Sequence, residues 1–272
     1  MRTEEGYFLL SGIPMRELTR MPSGTVVFDP QVVLHIQPGA IGGYDASIIY
    51  DTANSSAQNN NYGKSNTLYI GRSATANSNY LVSRSLLFFE LSGIPTTANI
   101  DSAKLRLYCF NGNSSIATTL DVHKMLVYWD EGVGDGTTGQ ASWVKRTPSN
   151  NWGANGGLAG TDYSSSYYAR ITKSGSDVNT WFEWDIKTLV SQWVATPSSN
   201  LGLMVKFTDD GTAQTSNRHF LMASSDYTTD ATKRPILRVR YTFPDVTVYY
   251  VRDAAGNVIA TYKIHDVDCI FL

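Results

Sequence analysis

Nearly every apolar run in this chain repeats with a period of two, and one stretch alone repeats with the period of a helix. A chain patterned this way is confined to β-sheet architecture, because period-two side chains sort onto the two faces of a strand. QVVLHI, YDASIIYD, TLYIG, LGLMVKF, RHFLMAS and PILRVRYTF all read as strands. In AKLRLYCF, Ala103, Leu105, Leu107 and Cys109 fall on one face, assigned to the core, and Lys104, Arg106, Tyr108 and Phe110 on the other. RSLLFFEL, Arg84 to Leu91, is apolar on both faces, as a central strand covered by a partner sheet and by loops should be. The helical exception follows WFEWDI: Ile186, Leu189, Val190 and Trp193 stand at i, i+3, i+4 and i+7, Asp185 can cap the first turn, and Pro197 stops the run.

TLDVHKMLVYW, Thr119 to Trp129, predicts a further strand. From Gly132 to about Asn179 the chain is rich in Gly, Ser, Thr and Asn, with ASWV and YYARI as short strand-like islands. This segment is expected to fold over a sheet edge and seat Trp143 and Trp152 against it, since long structureless loops are uncommon in compact domains. About ten strands and one short helix make an all-β antiparallel β-sandwich, with a jelly roll as the expected form and a C-terminal β-hairpin behind it. The domain division is 1–29 as an N-terminal extension, 30–243 as the module and 244–272 as the tail.

A net charge of −2 provides no global field for nucleic acid or an anionic membrane, so anion binding must come from a local patch. Cys109 and Cys269, a core-strand residue and a tail residue, make a poor disulfide framework. The run Tyr7 to Leu10 is too short for a signal peptide and follows Glu4 and Glu5; no apolar run reaches membrane-spanning length. Two settings fit: a cytoplasmic protein, or a piece of a longer secreted chain.

In order, the blocks NNNYGKSNTLYIG, SRSLLFFELSGIP, IDSAKLRLYCF, YWDEG, WFEWDIKTLVSQWVA, NLGLMVKF and RPILRVRYTF resemble the DNRLRE (disaggregatase-related) domain, which overlaps carbohydrate-binding module family ninety-six. The likeness covers roughly Val32 to Phe243. It implies a non-catalytic jelly-roll module of large secreted or surface proteins, with acidic polysaccharide as the ligand of some relatives. Behind it, YYVRDAAGNVIATY, with Tyr250, Asp253, Gly256 and Asn257, resembles the YD repeat of RHS proteins. The Gly-Asn turn between β-branched runs also reads as a hairpin in its own right. One such repeat cannot bury its apolar side alone, so the resemblance implies downstream RHS repeats as partners. It also implies an extracellular or cell-surface location. The other reading of the tail is an accessory hairpin covering a sheet edge.

The residues give little support to catalysis. Gly134 to Gly139 matches GxGxxG but opens no helix. His35, His123, His219 and His265 stand singly, without zinc-ligand spacing. The adjacent pairs Asp130 and Glu131, and Asp209 and Asp210, fall in strand ends or loops where neighbours diverge. No cofactor is required; a structural calcium is the expected ion, with Asp45 and Asp51 as first candidates for ligands. Neutral glycans call for exposed rings, for which Tyr62, Trp129, Trp152 and Trp181 are candidates. Acidic glycans call for converging cations: Lys104, Arg106, Arg238 and Arg240 on outward strand faces, joined by Arg84 and Lys206. The alternative for these cations is an ordinary solvated sheet face.

Overall fold

The computed structural model describes residues 25–26, 31–39, 42–74, 79–113, 116–242, 247–252 and 257–264. The strands are β1 (Thr25–Val26), β2 (Val32–Ile36), β3 (Gly43–Asp51), β4 (Asn60–Asn61), β5 (Thr67–Arg72), β6 (Leu81–Phe89) and β7 (Asn99–Asn113). They continue as β8 (Thr118–Lys124), β9 (Thr137–Thr138), β10 (Ala169–Lys173), β11 (Thr180–Asp185), β12 (Leu203–Phe207), β13 (Arg218–Ala223), β14 (Ile236–Thr242), β15 (Thr247–Arg252) and β16 (Val258–Ile264). The helix α1 is Lys187–Ala195.

The chain divides into two compact units, Val32–Thr242 and a second that joins Met1–Gln31 with Phe243–Leu272. In the larger unit eleven strands form one antiparallel ladder, β10-β8-β12-β6-β5-β13-β7-β14-β2, with β3 added to β6 and β11 to β7. The ladder forks at β6, where Ser85–Leu87 pair with β12 while Val82 and Ser83 pair with β5. The result is a curled, sandwich-like sheet. Its interior follows from the alternation: Ala103, Leu105, Leu107 and Cys109 of β7 are wholly buried, in register with Phe182 and Trp184 of β11 and Leu237 and Val239 of β14. Phe182 meets Phe220 of β13 edge to face at 5.2 Å. Trp184 Nε1 of β11 donates across the interior to the Leu120 carbonyl of β8, 3.2 Å away, which links two strands that are distant along the ladder. Leu189, Val190, Trp193 and Val194 form the buried face of α1. The Asp185 carboxylate accepts from the Lys187 N–H at its start.

The predicted strand Thr119 to Trp129 stops at Lys124. Met125 and Trp129 are apolar not to extend the ladder but to anchor a second layer. In it Trp129, Ala141, Trp143, Trp152 and Tyr163 cover Ala46 and Ile48 of β3, Val82 and Leu86 of β6, and Met204 of β12. The long loop thus covers a sheet face rather than an edge, and ASWV is a buried turn in it, not a strand. Both faces of β6 are buried, as its composition requires.

In the smaller unit β15 and β16 pair antiparallel, and β1 adds to β16 in parallel. The predicted hairpin is therefore part of a three-stranded sheet. Residues 253–256 of its turn, with His265 and Cys269, lie outside the described residues.

Candidate functional site

The outer face of the ladder at β11, β7, β14 and β2 collects five of the predicted site residues. Lys104, Arg106 and Tyr108 alternate outward from β7. Register places Asp185 beside Lys104, Glu183 beside Arg106 and Trp181 beside Tyr108. Lys104 Nζ lies 3.0 Å from Asp185, and Arg106 Nε 3.4 Å from Glu183. On the other side Arg238 stands opposite Lys104 and His35, and Arg240 opposite Ser102 and Val33, with no acid in register. Both arginines are exposed, and among the described residues neither joins an ion pair. Two rings complete the band: Trp181 meets Tyr108 edge to face at 5.5 Å, with the Arg106 guanidinium 4.8 Å over Trp181 and Lys233 Nζ 4.6 Å over Tyr108. The face is cationic toward β14 and internally neutralised toward β11.

Arg84 and Lys206 do not join this face. They point from β6 and β12 into the side covered by the loop layer, at 9% and 6% exposure. Arg84 grips Asp210 with two hydrogen bonds of 2.7 and 3.1 Å, and Lys206 Nζ lies 3.2 Å from the same carboxylate. Burial lowers the Lys206 pKa, with Asp210 opposing the fall and Arg84 adding to it. A strand buried on both sides hides this from its sequence, since alternation assigns a side without saying what covers it.

Tyr62 sits apart, bridging to Ser47 and tilted against Tyr69. Trp129 and Trp152 are core residues. The amides of the GxGxxG loop are taken by Asn61: its side-chain oxygen accepts from Gly134 N–H and its carbonyl from Gly136 N–H, while its Nδ2 donates to the Glu131 and Ala141 carbonyls. This fully buried asparagine organises the loop, and nothing in its local sequence marks it for that role.

Asp45 and Asp51 share one face of β3, six residues apart, about 20 Å along a strand. The two therefore do not fit one calcium ion, and among the described residues no three His, Cys, Asp or Glu side chains are grouped to hold a metal. Asp45 accepts instead from the backbone N–H and hydroxyl of Ser225, at 2.8 and 3.1 Å. Burial pushes its carboxyl up to about 8, the Ser225 N–H opposing and Glu131 adding to the rise. Unfolded, an aspartate titrates near 4. The folded state therefore holds this proton more tightly: the stabilisation is complete below about pH 4 and is lost as pH rises through about 8. His123, whose pKa burial lowers, works the other way at acid pH, so the variant must be compared with the wild type. Asp45→Asn is expected to remove the alkaline fall in unfolding free energy between about pH 5 and 9. Urea titrations at both pH values check it; parallel losses in the two proteins would contradict the assignment.

Residues 51–239, more than two thirds of the chain, match the family model of the disaggregatase related repeat domain. No curated protein sequence matches the chain.

Proposed function

The chain belongs to the disaggregatase-related repeat family, and from that footing we propose that it is a non-catalytic module that binds acidic polysaccharide. The observation that carries this reading is the outer band of β7 and β14, where exposed Arg238 and Arg240 lie on one face with no acid in register, beside the Trp181–Tyr108 pair. Guanidinium groups suit carboxylates on a repeating chain, and rings suit sugar faces. Three of the four carboxylates weighed for catalysis are otherwise engaged: Asp210 by Arg84 and Lys206, Glu131 by Lys64 at 3.2 Å, and Asp130 by the Tyr128 hydroxyl at 2.6 Å. Such a module works by holding a larger secreted or surface protein to its polymer, and the likeness of Tyr250 to Tyr262 to a YD repeat supports RHS-type repeats as its partners.

Arg238→Ala with Arg240→Ala is expected to weaken retention in an alginate affinity gel about tenfold, roughly 1.4 kcal/mol, without unfolding the sheet. Unchanged retention would overturn the role of this face. A second reading, a structural domain that caps or spaces a repeat shell, is favoured by the pairing of Lys104 with Asp185 and Arg106 with Glu183. Absence of retention in any polysaccharide gel, with tight association to downstream repeats, would select it.

A further inference from the structure

A cavity of 320 Å³ opens between the β3–β6 face and the loop layer, far too small for a stretch of polymer and at the lower end of the range for small-ligand sites, about 300–1,000 Å³. Its walls include Tyr50, Tyr80, Trp143, Arg72, Arg84 and Asn155. Tyr50 stacks on Trp143 with centroids 5.8 Å apart and meets Tyr80 edge to face at 6.1 Å, so one wall is aromatic. The opposite chemistry is cationic. Arg72, Arg84 and Lys206, at 5%, 9% and 6% exposure, are gathered at Asp210, the last two at its carboxylate and Arg72 at its backbone carbonyl.

That carboxylate is already used. Both its oxygens meet Arg84, and one of them also meets Lys206. The next buried acid, Asp121, is held by Arg170 at 2.6 and 2.8 Å and by the Thr208 hydroxyl. Arg72 has no counter-charge among the described residues. Among the described residues its guanidinium makes one hydrogen bond, from Nη1 to the Asp210 carbonyl, and lies 3.8 Å over the Tyr80 ring. Its Nε is buried with no partner. A guanidinium has five donors in a planar fork, and an unpaired buried charge is costly, so the fold keeps an unfilled demand for an anion at this wall.

We propose that this cavity is a second binding site, distinct from the sheet face, that takes one carboxylate-bearing sugar unit. The carboxylate pairs with Arg72, and the C–H face of the ring lies against Tyr50 and Tyr80. Planar two-point pairing with a guanidinium suits a carboxylate, and the aromatic wall adds a contact that a bare anion lacks. Arg84 is the fixed part of the site, braced by Asp210 and by the Gly156 carbonyl at 2.7 Å.

Titration of the full chain with monomeric glucuronate, glucose and acetate, followed by calorimetry and by backbone amide NMR shifts, tests the site. Saturable glucuronate binding is expected, with shifts at Arg72, Tyr80 and Gly156, and binding at least tenfold weaker for both glucose and acetate. Arg72→Gln should abolish it. Asn155→Trp, which places a bulky ring at the cavity mouth from an exposed position, should abolish it with the fold intact, and keeps the test decisive if Arg72→Gln unfolds. Equal binding of acetate and glucuronate would overturn the sugar site in favour of a bare anion. Equal binding of glucose, no binding, or unchanged binding in Asn155→Trp would overturn it as well. A monosaccharide cannot span the sheet face, so this outcome is independent of polymer retention by Arg238 and Arg240.

Discussion

Asp210→Ala lowers the free energy of unfolding by about 3–5 kcal/mol, because it strands two cations in the low-dielectric space beneath the loop layer. Asp210 is 3% exposed and neutralises both Arg84 and Lys206. Neither cation can readily swing out to full hydration: Arg84 is packed 5.1 Å from the Trp143 ring, and Lys206 Nζ is tied to the Phe207 and Thr208 carbonyls. The Asp210 carbonyl that receives Arg72 survives the substitution, so the loss reports the carboxylate alone. Asp210→Asn should fare little better, since it keeps the shape but turns an N–H toward a guanidinium. Replacing Arg84 by Met in the Asp210→Ala background should recover part of the loss, because the pair together costs less to remove than either half. Urea unfolding of the two single variants and the double variant measures the coupling. A loss below about 1 kcal/mol would place these charges in contact with solvent.

Trp129→Ala is the second large effect, about 3–5 kcal/mol. Trp129 is wholly buried, meets Tyr44 edge to face at 4.9 Å, and donates from Nε1 to the Leu201 carbonyl at 3.1 Å. The layer it anchors has little ladder hydrogen bonding of its own, so its order depends on seated side chains. Proteolysis within Gly132 to Tyr163 should therefore accelerate in the variant well before the ladder unfolds. Trp129→Phe keeps most of the packing but leaves the Leu201 carbonyl unpaired, and should cost about 1–2 kcal/mol. Equal losses for Ala and Phe would assign the effect to the hydrogen bond rather than to packing.

The parts of this fold that were legible in the sequence are those fixed by local sterics. The alternation in Ala103 to Phe110 assigned the inner and outer faces of β7 correctly, and the i, i+3, i+4, i+7 spacing placed α1. Apolar residues on both sides of β6 announced a covered strand. What covers it was not legible, because Trp129, Trp143 and Tyr163 reach it from 40 to 80 positions away through irregular backbone. The assignment of Arg84 and Lys206 to an open basic face failed for that reason. The extent of β8 was overread at Met125 to Trp129, where alternating apolar residues anchor a loop instead of a ladder. The neutralisation of Lys104 and Arg106 also depended on knowing that β11, rather than another strand, is their neighbour. No local pattern marks Arg72, Tyr50 and Tyr80 as a site, because three separate segments bring them together.

Migration of the wild-type chain through native gels containing alginate, beside matched gels containing a neutral glucan, at rising salt, tests the proposed function most directly. Strong retardation by alginate alone, fading as salt screens the exposed arginines, is the predicted result. Equal mobility in both gels at low salt would contradict it.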